Sequence, residues 1–208
     1  MTRTDMGLPQ NSFVFCSFTQ AYKIELKMFE VWMKILKQTA NSVLWLLPES
    51  PLTEANLRKE AEKRGISAAR LIFTRRLDKP DHLTRHTLAD LVLDTRIYNG
   101  HTTTSDALWA GVPVVAWKAR IFASRVSSGL LKAVGLPQLV MQSLEEYESM
   151  AIRLSENPEE LLTIRQQLAK KRLTEPLFDT PRFAKDIEQA YKAMWKTWLA
   201  GKGALVDV

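Results

Sequence analysis

Short, uninterrupted apolar bursts recur along this chain, and a helical pattern follows nearly every one. That alternation limits the possible folds more than any other feature. Residues 12–18 (SFVFCSF), 42–47 (SVLWLL), 70–74 (RLIFT), 90–94 (DLVLD) and 112–117 (VPVVAW) read as strands, with a short sixth at 138–140. The runs are continuous rather than alternating, so each strand is buried on both faces. Strands of that kind separated by helices indicate a parallel sheet with right-handed crossovers. The helix at 25–38 carries Met28, Trp32, Ile35 and Leu36 on one face. Further helices are expected at 53–64, capped by Thr53 and stopped at Gly65, and at 80–86, 103–110 and 124–134. From about residue 143 the pattern is purely helical: 144–156, 158–172 and 181–199. The expected class is α/β, a doubly wound, Rossmann-like parallel sheet with C-terminal helices. The 208 residues fit one large domain, 1–200, with a frayed tail at 201–208.

In such sheets ligands sit outside the carboxyl ends of the strands. The charge balance, 29 Lys and Arg against 23 Asp and Glu, favours an anionic ligand. After the first strand come Gln20, an amide, and Lys23, a mobile point charge suited to phosphate. The alternative is a solvated helix start. After the third strand, Lys79, His82 and Arg85 recur at helical spacing. There a flat imidazole can stack on a base beside two cations, or the segment is simply a basic, solvated helix. After the fourth strand an Asn99-Gly100 turn leads through His101 into Thr102 and Thr103. Free amides and the positive end of a helix make an anion site there. Asp106, a turn further on, can accept from ribose hydroxyls. The alternative is that Thr102 or Thr103 merely caps the helix.

Several chemistries are excluded or disfavoured. One cysteine and three histidines leave no internal disulfide and no thiolate metal cluster. No G-x-G-x-x-G, Walker or G-x-S-x-G pattern occurs, and no Asp-x-Asp pair to hold a metal diphosphate. A bound phosphate would therefore be neutralised by the helix dipole and cations, without metal. The N-terminus has no secretory apolar region, and no apolar run approaches the roughly 20 residues of a membrane span. The expected location is cytoplasmic, with no membrane partner. Nucleic-acid binding rests on net charge alone, without a recognisable module. Trp32, Trp45, Trp109, Trp117 and Trp195 are expected in the core, Cys16 as an inert buried thiol, and Lys170-Lys171-Arg172 as a solvated helix end.

The segment Asn99-Gly100-His101-Thr102-Thr103, with Asp106 and Leu108-Trp109-Ala110-Gly111, resembles the hallmark of the protein O-GlcNAc transferase and SPINDLY family, in its bacterial form. The resemblance extends to Phe18–Ile24, Asn41–Leu47, Lys79, His82 and Arg85, Ala123–Val126, Pro176–Asp179 and Met194-Trp195. It implies the C-terminal, donor-binding lobe of a two-lobed GT-B glycosyltransferase. The N-terminal catalytic lobe and the TPR repeats of the family have no counterpart in these 208 residues.

The resemblance also implies an inverting, metal-independent transfer of a sugar to Ser or Thr hydroxyls of proteins. The donor substrate would be UDP-GlcNAc, with no cofactor. Lys23 and His101 are the implied catalytic residues. Gln20 and Lys23 would face the diphosphate, Lys79 and Asp106 the ribose, and His82 and Arg85 the base. His101, Thr102 and Thr103 would hold the phosphates and border the sugar. Tyr98 and Arg96 depart from the animal pattern. The alternatives are GDP-fucose as donor, as the resemblance to plant SPINDLY members implies, or a non-catalytic nucleotide-sugar-binding module.

Overall fold

The computed structural model describes residues 1–201; most of the tail expected to fray lies outside the described residues. Among the described residues, six strands form one parallel sheet: β1 (Phe13–Ser17), β2 (Ser42–Leu46), β3 (Leu71–Phe73), β4 (Leu91–Leu93), β5 (Val114–Trp117) and β6 (Val140–Met141). Their order is β3-β2-β1-β4-β5-β6. The chain thus winds outward from β1 to β3, then returns beside β1 and winds the other way. That reversal opens a crevice beyond the carboxyl ends of β1 and β4. Phe15 and Cys16 pair with Leu44 and Trp45 on one side and with Leu91 and Val92 on the other.

Among the described residues, eight α-helices accompany the sheet: α1 (Leu26–Gln38), α2 (Pro51–Lys63), α3 (Lys79–His86), α4 (Thr102–Trp109), α5 (Val126–Ala133), α6 (Leu144–Glu156), α7 (Pro158–Lys171) and α8 (Thr180–Leu199). The apolar face expected for α1 is fully buried: Met28, Trp32, Ile35 and Leu36. Each such side chain contributes roughly 1.5–3 kcal/mol by leaving water. The Trp32 indole N–H donates to the Tyr147 hydroxyl at 3.3 Å, and that hydroxyl donates to the Asp94 carbonyl at 2.9 Å. This buried relay ties α1 and α6 to the end of β4. Gly111 closes α4 with φ of 82°, a conformation open to glycine at little cost.

Three expectations need correction. The cap of α2 is Ser50, whose hydroxyl accepts from the Thr53 N–H at 3.2 Å, while Pro51 occupies the first helical position. That places the helix start earlier than an apolar pattern can show. Trp109 and Trp195 are not core residues but 45% and 60% exposed. Trp195 belongs to α8, which has no buried residue and presents Phe183, Ile187 and Tyr191 to solvent. Helical spacing reports an apolar face, not what covers it. The basic end of α7 is engaged with the fold rather than simply solvated: Lys171 donates to the Gly135 carbonyl and Arg172 to that of Trp109. Cys16 is buried as expected, and burial pushes its thiol pKa upward. No described helix is long and apolar enough to cross a membrane.

Candidate functional site

The crevice is built from the segments immediately after β1, β3 and β4. After β1 the chain makes a 3-10 turn, Ala21–Lys23, and then enters α1. The Lys23 ammonium crosses to the loop after β4. It donates to the Asn99 carbonyl at 3.0 Å and lies 3.9 Å from the centre of the Tyr98 ring. Partial burial lowers the Lys23 pKa.

The loop after β4 is internally braced. Asn99 is fully buried; its amide donates to the Thr95 carbonyl at 2.6 Å, and its backbone N–H to Ala123 at 2.9 Å. Gly100 donates its N–H to Asp94 Oδ1 at 2.6 Å, and its carbonyl accepts from Ser127 at 2.8 Å. The loop thereby delivers His101 as the cap residue of α4, with no side chain capping the helix. The alternative that Thr102 or Thr103 caps it does not hold. The first amides of α4 have no partner within the helix and carry its positive end. His101 Nε2 and Thr103 Oγ1 are buried without hydrogen-bond partners. Polar atoms left this way at the start of a helix are suited to an anion.

A Cβ on Gly100 would lie 2.5 Å from Thr103 Oγ1 and 2.7 Å from Thr104 Oγ1. Gly100→Ala is therefore expected to cost about 1–3 kcal/mol, the range for overpacking. Denaturant unfolding checks this; an unchanged midpoint would show that the two threonines move aside freely.

On the other wall, α3 starts with Lys79, which pairs with Asp106 Oδ1 from α4. His82 Nε2 faces Asp106 Oδ2 at 3.6 Å. Arg85 donates to His82 Nδ1 at 2.6 Å, which makes Nδ1 the acceptor and leaves the proton on Nε2. Burial, then the Arg85 charge, pushes the His82 pKa down to about 4, so the ring is neutral near pH 7.

Lys23 therefore meets the segment 99–106 at one end and Lys79 and His82 meet it at the other. Gln20 and Thr102 stand exposed. Arg85 is placed differently from its expected contact with a base. It is 1% exposed, donates to the Arg75 carbonyl and lies 4.4 Å from the Phe18 ring centre. It orients His82 from below. The carboxylate missed by sequence reading is Asp94, although its place at the end of the DLVLD strand was a usable signal. A separate cavity of about 690 Å³ opens at the amino ends of the strands, but its Arg3 and Arg165 are already engaged with Asp90.

A six-stranded parallel sheet of this order is the doubly wound α/β fold, and the solved structures it resembles are GT-B glycosyltransferases. Ninety per cent of the chain superposes on the Thermobaculum terrenum O-GlcNAc transferase K341M mutant, with a TM-score of 0.84 and 31% identity, covering 38% of that protein. Residues 1–187 match the family model described as glycosyl transferase family 41. The chain belongs to that family. It is 41% identical over 201 residues to the probable UDP-N-acetylglucosamine–peptide N-acetylglucosaminyltransferase SEC of Arabidopsis thaliana, covering 96% of this chain and 21% of the plant protein. It is 38% identical over 200 residues to the UDP-N-acetylglucosamine–peptide N-acetylglucosaminyltransferase of Caenorhabditis elegans, covering 96% of this chain and 17% of that protein. The chain thus spans about a fifth of the length of these curated relatives.

Proposed function

We propose that residues 1–200 form the donor-binding lobe of a cytoplasmic protein O-GlcNAc transferase. The carrying observation is the convergence of Lys23, the uncapped start of α4 and the Lys79–Asp106–His82 cluster on one crevice. Lys23, Gln20 and the amides of Thr102 and Thr103 hold the diphosphate of UDP-GlcNAc. Lys79 and Asp106 share the ribose hydroxyls. The neutral His82 ring stacks on the uracil, and Arg85 holds it in place. His101 borders the phosphates and the sugar.

In the reaction, the oxygen of a protein Ser or Thr hydroxyl attacks the anomeric carbon from the face opposite the diphosphate. The bond from that carbon to the phosphate oxygen breaks, with inversion, and UDP leaves with the electron pair. The acceptor proton passes to a base outside this lobe, supplied by the N-terminal catalytic lobe, with a TPR region beyond it as in the family. Negative charge grows on the leaving diphosphate in the transition state. Lys23 and the positive end of α4 are already aimed there, so they stabilise it without reorganising. These groups make a metal unnecessary.

Calorimetric titration with UDP, UDP-GlcNAc, GDP and GDP-fucose tests the reading. The uridine compounds are expected to bind, with a Kd that EDTA leaves unchanged. Loss of binding in EDTA would overturn the metal-free account. Preference for GDP-fucose would make the protein an O-fucosyltransferase.

A further inference from the structure

Asp94 takes no part in the proposed reaction, yet it lies directly beneath the crevice. It comes straight after β4 and is 2% exposed. Oδ1 accepts from the Gly100 N–H, whereas Oδ2 is buried with no hydrogen-bond partner. Ser127 of α5 holds the Gly100 carbonyl and meets Thr104 Oγ1 at 2.8 Å. Gly100 is thus gripped from β4 through its N–H and from α5 through its carbonyl, two residues before α4 begins. The orientation of the α4 amides depends on this grip.

Titratable groups face Asp94 from three elements. Lys23, from the turn after β1, places its charge near enough to favour the ionised form. His86 of α3 shares a small cavity with it, lined also by Ser17, Thr19, Thr103 and Thr104. Tyr147 of α6 holds its backbone carbonyl. From α4 and α5 the groups nearest to it are hydroxyls: Thr103 and Thr104 across that cavity, and Ser127. Burial pushes the His86 pKa down to about 3 and raises that of Tyr147 well above its ordinary range. Lys23 is therefore the one charged member of this set near pH 7.

Resting on the donor-binding reading, we propose that Asp94 is a positioning residue for the donor diphosphate, and that it takes up a proton when the diphosphate binds. In the free protein an ionised Asp94 is supported first by the Gly100 N–H, then by Ser127 and the Thr95 N–H, and last by the Lys23 charge. An arriving diphosphate engages Lys23 and brings like charge close to a carboxylate that water cannot reach. The ionised form becomes less favourable, and a proton comes on. Burial has already raised the Asp94 pKa to about 7 in the free protein, so this step falls near neutrality. Below that value Asp94 is neutral and the donor binds without hindrance. Above it, binding must bring in a proton, and affinity falls as pH rises, until the pKa of the bound state is passed.

The test is calorimetry of the 208-residue chain with UDP-GlcNAc from about pH 6 to 8.5 in two buffers of different ionisation enthalpy. UDP-GlcNAc is chosen because its diphosphate is esterified at both ends. It lacks the second phosphate ionisation near pH 6 that a terminal phosphate has. Wild-type affinity is expected to fall about tenfold across the range for a one-unit pKa displacement, with buffer-dependent heat. Asp94→Asn keeps the acceptor for Gly100 but not the charge. It is expected to hold the wild-type acid-side affinity at every pH. Asp94→Ala loses the acceptor and binds more weakly throughout. Parallel profiles for wild type and Asp94→Asn overturn the proposal, and that comparison stands even if Asp94→Ala does not fold. The Gly100 amide resonance, followed without ligand, should titrate near pH 7 in wild type and not in Asp94→Asn. If it does so while UDP-GlcNAc fails to bind, the donor reading fails and the Asp94 titration survives. If it stays flat, the proposal fails whatever the donor.

Discussion

Lys23→Ala is expected to weaken UDP binding about 10- to 150-fold, or about 1.5–3 kcal/mol, the range for a hydrogen bond to a charged group. In the free protein the ammonium is already drawn out of bulk water. It donates to the Asn99 carbonyl, lies over the Tyr98 ring, and its pKa is lowered by burial. A diphosphate oxygen is a stronger acceptor than a peptide carbonyl, so the bond gained on binding is charge-assisted. Alanine removes that bond and also the charge opposite the buried Asp94. Lys23→Arg should recover only part of the loss, because a planar fork does not replace a compact point charge. Calorimetry with the three proteins measures this. An unchanged Kd would remove Lys23 from the phosphate site and leave the α4 amides to hold the anion alone.

The 208-residue chain by itself is expected to bind donor and transfer no sugar. In a two-lobed glycosyltransferase the acceptor hydroxyl and the anomeric carbon meet between lobes. Holding them together can supply roughly 7–11 kcal/mol of the barrier, which one lobe forfeits. The crevice is also open on one side, where Lys79 is half-exposed, so its cations act in a higher dielectric and stabilise a leaving diphosphate less. Radiolabelled transfer to a peptide library, assayed with and without an added N-terminal lobe from a family relative, checks both points. Robust transfer by this chain alone would mean that the proton acceptor lies within this lobe.

Much of the candidate site is legible in the sequence because it sits just after the strands. Once apolar runs give the strands, a parallel sheet dictates that ligands meet the residues at their carboxyl ends. Lys23, Lys79 and the 99–106 segment satisfy that rule on sequence alone. Asp94 escapes it. At the end of DLVLD a carboxylate looks like an ordinary strand boundary, and nothing local says that it turns inward. Arg85 misleads for the opposite reason. Its spacing with Lys79 and His82 puts it on the same side of α3, but a helix face has an upper and a lower edge, and the lower edge packs on Phe18.

By itself, the sequence determined the six strands and eight helices of the described residues, the family, and a helix start just after the Asn99-Gly100 turn. Each of these depends on periodicity, on glycine at a helix end, or on a contiguous motif, and those act over a few residues. The tertiary structure alone decided that Ser50 caps α2, that Arg85 holds His82 from beneath, that Trp109 and Trp195 face solvent, and that Asp94 grips Gly100. The burial of Arg85 against Phe18 and the exposure of Trp109 and Trp195 depend on which distant segment arrives beside the side chain, and the Asp94–Gly100 contact on how the loop between them folds back. Burial and charge are properties of that neighbourhood. Local patterning sets the direction in which a residue points, and only the packed fold sets what it meets there.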